Sequence, residues 1–135
     1  MRTSLLLPLV LLLAAPLAGC GGPDRTSLAT SVVQTYWSDI GHGKFSEAYN
    51  LLTSGTRATI NESQYTQNLM GFLEHLSGVS AKVGTPQISS DNATVPVTLR
   101  SPLAPSSPFR GFQHLFWQDG GWKISDTNGG LSQTR

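Results

Sequence analysis

The order of hydrophobic periods along the chain predicts an α+β domain: three N-terminal helices, then an antiparallel four-stranded sheet wrapped against them. Three observations predict it. Leu28, Val32, Tyr36 and Ile40 recur at four-residue spacing, an apolar stripe of helical period. From Val79 the period falls to two, first in Val79, Ala81 and Val83, then in Ala93, Val95, Val97 and Leu99. Asp119-Gly120 then separates two apolar runs, the dipeptide of a tight hairpin.

The first helix starts near Thr26, with Ala29, Val33 and Trp37 widening its stripe, and Gly41 and Gly43 end it. A shorter helix runs from Lys44 to about Leu52, with Phe45, Ala48, Tyr49 and Leu52 on one side, and Thr53-Ser54-Gly55 breaks it. Thr59 and Glu62 fit a capping box for a third helix with Tyr65, Leu69, Phe72, Leu73 and Leu76 on its apolar face. Pro96 lacks an amide donor, so the strand Ala93–Leu99 should lie at a sheet edge or carry a bulge there. The prolines between Ser101 and Pro108 demand a loop, followed by strands at Phe109–Gln118 and Trp122–Ser125. Residues 128–135 read as a flexible tail.

Residues 1–19 carry an export pattern: Arg2, an apolar run from Leu5 to Ala18, then small residues. The run holds Pro8 and Pro16 and falls short of the roughly 20 residues that span a bilayer. A transmembrane anchor is the competing reading. Leu17-Ala18-Gly19-Cys20 resembles the bacterial lipoprotein lipobox at each position. That resemblance implies cleavage between Gly19 and Cys20, a diacylglyceryl group on the Cys20 thiol, and often acylation of the new amino group. An ordinary signal peptide with a chance cysteine is the alternative. Each buried methylene contributes roughly 0.8 kcal/mol and one chain anchors only marginally, so two or three chains on one cysteine would hold firmly. Residues 20–25 become a lipidated tether, and the expected location is the extracytoplasmic side of the cell membrane or the outer membrane. Gly21, not aspartate, after the cysteine is compatible with outer-membrane sorting.

The chain has 135 residues and one cysteine, so a lipidated Cys20 leaves no thiol for a disulfide or a nucleophile. Nine Lys and Arg against eight Asp and Glu become eight against eight once Arg2 is removed. Without a basic cluster, no nucleic-acid partner is expected.

Three stretches resemble the nuclear transport factor 2-like superfamily, the cystatin-like cone that includes ketosteroid isomerases. They are the first helix ending in Tyr36-Trp37, the segment Gly43 to Leu52, and Asp119-Gly120-Gly121-Trp122-Lys123-Ile124. The resemblance covers roughly Thr26 to Asp126, within a domain expected over residues 26–127, and implies a curved sheet whose concave face and helices enclose a pocket. Its members include enzymes, binding domains and structural subunits, so fold alone does not choose among them.

Ketosteroid-acting enzymes of that fold use a pocket aspartate as base, and hydroxyl or carboxyl donors at the oxyanion. Only Asp39 and Asp126 stand where they could reach a pocket mouth, and both are weak catalytic candidates. His42, His75 and His114 lack metal-ligand spacing, and neither a metal nor a cofactor is expected. The candidate pocket residues are Tyr36, Trp37, Tyr49, Phe72, Trp117 and Trp122, for which plain core packing is the competing reading. Hairpin parity puts Leu115 and Trp117 with Trp122 and Ile124, and puts Phe112, His114 and Phe116 on the opposite face. Two phenylalanines there make it a candidate association face, for a second copy or a protein partner. The expected function is thus a membrane-anchored, non-catalytic domain binding a protein or small apolar ligand. The alternative is an isomerase or cyclase using a pocket acid or base.

Overall fold

The computed structural model describes residues 24–73, 78–102, 106–126 and 132–133, with the backbone alone at 72–73 and 132–133. The signal segment, Gly19, Cys20, the Phe72 side chain, His75 and most of the expected tail lie outside the described residues.

The fold is α+β, helices followed by a curled antiparallel sheet. Helix α1 (Arg25–Gly41) starts where the Asp24 carboxylate accepts the Ser27 amide at 2.8 Å. It buries Ala29, Val33, Tyr36, Trp37 and Ile40, so its inward stripe centres beside the Leu28–Val32 line. Its last residue must be small, because a Cβ on Gly41 would stand 2.9 Å from the Val79 carbonyl oxygen. Gly43 turns the chain at a φ of 74°.

Between α1 and the sheet there are three further helices where two were expected. These are α2 (Phe45–Asn50), α3 (Ser54–Thr59) and α4 (Glu62–Leu73). Thr53 does not simply break a helix. Its hydroxyl accepts the Thr56 amide at 3.1 Å and caps α3. Thr59 closes α3, so the box at α4 is made by Asn61 and Gln64 in place of Thr59 and Glu62. The Asn61 side chain accepts the Gln64 amide at 2.8 Å, and Gln64 reaches back to the Asn61 amide at 3.5 Å.

The sheet contains β1 (Ser80–Val83), β2 (Gln87–Ser89), β3 (Asn92–Arg100), β4 (Phe109–Gln118), β5 (Gly121–Ile124) and β6 (Ser132–Gln133). It is four strands wide, because β1 and β2 share one side of β3 while β5 and β6 share the far side of β4. Pro96 therefore sits in an inner strand, not an edge. The neighbouring strand gives way beside it: Gly84, Thr85 and Pro86 face only Val95 and Pro96. The missing amide falls in that gap, where the Pro96 carbonyl still accepts Gly84 N–H at 2.8 Å. Ser132 and Gln133, expected in a flexible tail, pair with Arg110 and Phe109.

The core lies between α1 and the inner face of β3, β4 and β5, where Val95, Val97, Leu99, Leu115, Trp122 and Ile124 are buried. Residues Leu51–Thr53 run along the outer edge of β5. Ile124 N–H donates to the Leu51 carbonyl and Thr53 N–H to the Ile124 carbonyl, both at 2.8 Å. That pairing closes an edge that would otherwise offer free backbone groups.

Candidate functional site

The hairpin sets the geometry of the site. Asp119 and Gly120, at φ of 54° and 78°, form its two-residue loop. The register pairs Trp117 with Trp122 and Leu115 with Ile124. Gln113 shares that inward parity and is fully buried, a polar side chain among apolar ones. Burial without partners would be costly, so it must be hydrogen-bonded. It accepts from Trp37 Nε1–H at 3.0 Å and donates through Nε2 to Asp126 Oδ1 at 2.7 Å. Asp126 Oδ2 meets His114 Nδ1 at 2.9 Å. A polar chain thus runs from α1 through the sheet to its outer surface: Trp37, Gln113, Asp126, His114. Asp126 has both carboxylate oxygens engaged in it.

Beside this chain, Tyr65 from α4 donates its hydroxyl proton to the Tyr36 oxygen at 2.9 Å. Burial holds the Tyr36 phenol well above its ordinary value, and the adjacent Tyr65 and the Asp126 charge push the same way. Burial pushes Tyr65 up to about 12; the Tyr36 hydrogen bond pulls it down, and the Asp39 charge adds to the rise. Both phenols stay protonated at neutral pH. Tyr49 packs on Tyr65 with ring centres 5.4 Å apart, and its hydroxyl lies 2.8 Å from the Ile60 carbonyl that closes α3.

Of the six aromatics expected around one pocket, the five whose side chains are described fall in two groups. Tyr36 and Tyr49 meet Tyr65 inside the domain and Trp37 stands edge-on to Tyr36, whereas Trp117 and Trp122 stack edge-to-face at the hairpin end, 5.2 Å apart. There the Arg25 guanidinium lies 4.1 Å over the Trp117 ring, and Trp122 Nε1–H donates to the Arg25 carbonyl at 2.8 Å. Tyr36, Trp37 and Trp122 are buried to 0, 1 and 2% exposure. Of the two acidic candidates, Asp126 reaches the Tyr36 neighbourhood through charge and Asp39 that of Tyr65.

The outer face carries Phe112 and Phe116 at 54 and 41% exposure, with His114 between them. Phe116 and His114 line a cleft of about 350 Å³ together with Thr53 and Gly55. Among the described residues, no three His, Cys, Asp or Glu side chains gather as a metal site. None of the described helices is long and apolar enough to cross a membrane.

Sequence reasoning missed Gln113 and the Tyr36–Tyr65 pair. Parity alone could have found Gln113, because it alternates with Leu115 and Trp117. The tyrosine pair joins α1 to α4 and leaves no local signal.

No protein-family model matches the chain, and no curated protein sequence does. A solved structure from Kribbella flavida, provisionally described as a ketosteroid isomerase, aligns with 76% of this chain and 78% of its own. The identity is 16% and the TM-score 0.47.

Proposed function

We propose that the protein is a lipid-anchored extracytoplasmic domain that binds a protein partner through the outer face of its sheet. The lipobox-like Leu17-Ala18-Gly19-Cys20 supports the anchor. The binding half rests chiefly on one observation, two exposed phenylalanines on one sheet face beside a cleft. An antiparallel sheet commonly turns a polar face to water, and exposed apolar patches mark contacts. The Asp126 carboxylate, with both oxygens hydrogen-bonded, favours a structural role for that residue. Crosslinking and pull-down from intact membranes tests the binding reading. Wild type should capture a partner that the Phe112→Lys, Phe116→Lys double variant loses. Equal capture by both would overturn it.

A second reading has one observation in its favour: the Asp126 charge helps to raise the Tyr36 phenol, which puts a carboxylate and a hydroxyl in one electrostatic neighbourhood that isomerase chemistry could use. It predicts exchange of protons next to the carbonyl of an apolar ketone in deuterated buffer, abolished by Asp126→Asn. No exchange above the buffer rate would remove it.

A further inference from the structure

We infer that the domain stands end-on to the bilayer, with the hairpin tip Asp119-Gly120 and the turn Ser90-Asp91 facing the lipid headgroups. This rests on the proposed lipidation of Cys20. Whatever its conformation, the chain from Cys20 to Asp24 spans at most roughly 14 Å, at about 3.5 Å per residue. The point where it enters the domain must therefore lie close to the membrane. That point is bolted to one end of the fold. Arg25 lies over Trp117, and its guanidinium reaches Asp91 Oδ1 at 3.3 Å and the Ser90 carbonyl at 3.4 Å. Trp122 holds the Arg25 carbonyl. Trp117 N–H donates to the Asp91 carbonyl at 2.7 Å, tying the β2–β3 turn to the β4 end. The start of α1, that turn and the β4–β5 hairpin thus form one rigid end.

Helix α1 then leads away from it. Its 17 residues rise about 25 Å, and its last turn meets Val79 at the start of β1. Strands β3 and β4 run the same length, so Arg100 and Phe109 lie at the far end with His42.

The chemistry of the near end fits a headgroup layer approached, not entered. Asp24, Asp91 and Asp119 are exposed there against Arg25 and Lys123, so anionic lipid is not attracted. The exposed side of α1 carries Thr26, Ser27, Ser31, Gln34, Thr35 and Ser38, with no apolar stripe or lysine to lay the helix into an interface.

The test uses the full lipidated protein, whose single cysteine is blocked by lipid, so an introduced thiol is the one labelling site. A fluorophore is placed in Asp119→Cys, His42→Cys and Arg110→Cys, and each protein is reconstituted into phosphatidylcholine vesicles carrying a headgroup nitroxide. Quenching several-fold stronger in Asp119→Cys than in either other variant is expected. Equal or stronger quenching in His42→Cys means an inverted domain, and in Arg110→Cys a domain lying on its phenylalanine face; either overturns the inference. Should Asp119→Cys fail to fold, Ser27→Cys against Ser38→Cys makes the same comparison along α1. Wild type that does not float with vesicles overturns the lipidation reading as well, whereas floating protein with the wrong gradient overturns the orientation alone.

Discussion

Replacing Gln113 with leucine removes the link that joins α1 to the sheet while keeping the volume of the side chain close. Two losses follow. Trp37 Nε1–H, buried with its ring at 1% exposure, loses its acceptor. An orphaned buried donor costs about 1–3 kcal/mol. Asp126 loses a hydrogen bond to a charged oxygen, for which about 1.5–3 kcal/mol is usual. The Asp126 side chain is 27% exposed and keeps His114, so water recovers part of that second loss. The added methyl surface of leucine offsets a little more. A net destabilisation of about 2–4 kcal/mol is expected, a drop in urea midpoint of roughly 1–2 M at ordinary denaturant slopes. A double-mutant cycle isolates the Trp37 term. In a Trp37→Phe background the donor is already gone, and Gln113→Leu should then cost at least about 1 kcal/mol less. Urea titrations followed by far-ultraviolet circular dichroism supply all four stabilities. A Gln113→Leu cost under about 0.5 kcal/mol, or a cycle that closes additively, would refute the argument that this chain of hydrogen bonds ties helix to sheet.

Trp122→Ala should cost about 3–5 kcal/mol, since a ring at 2% exposure leaves a cavity at the hairpin and frees the Arg25 carbonyl; a urea midpoint within error of wild type would contradict this. Tyr36 and Tyr65 have folded pKa values above their unfolded value near 10. The unfolded chain thus releases protons first. The Tyr65 contribution is full below about pH 10 and is lost as pH rises toward about 12, roughly 3 kcal/mol at 1.36 kcal/mol per unit, and the Tyr36 contribution is lost in the same direction. Tyr65→Phe should flatten that alkaline loss, and an unchanged stability–pH slope would count against the buried pair. The Phe112→Lys, Phe116→Lys variant should unfold within about 0.5 kcal/mol of wild type, as exposed sites do; unfolding at rest would mean those rings belong to the core.

Elements with strong periods were legible in the sequence. The α1 stripe and the parity across Asp119-Gly120 both follow from residue spacing alone, which is why Trp122, Ile124 and Leu115 could be assigned inward. What escaped depends on contacts between distant segments. Helix α3 has little apolar pattern; it exists because Thr53 caps it and because Thr56 Oγ1 donates to the Ser125 carbonyl at 2.9 Å. The missing amide of Pro96 predicts either an edge strand or a bulge, and spacing alone does not choose between them. A one-residue excess in the partner strand meets the same need inside the sheet. The candidate pocket joins the inward hairpin face to the helical stripe, but spacing does not say how far apart along the sheet the two meet: Trp117 and Trp122 sit at the hairpin end, and Tyr36, Trp37 and Tyr49 cluster around Tyr65. The Asp126 environment depends on Gln113 and His114, adjacent residues on opposite faces of β4, which the carboxylate bridges just past the end of β5.

The central claim, a binding domain held to a membrane by Cys20, is tested most directly by mass spectrometry of the mature N-terminal peptide from the membrane fraction. The account predicts a peptide that begins at Cys20 and carries a diacylglyceryl group, and it predicts that Cys20→Ala leaves the protein in the soluble fraction. A membrane-bound chain that retains residues 1–19, or one whose Cys20 thiol is free, would contradict it.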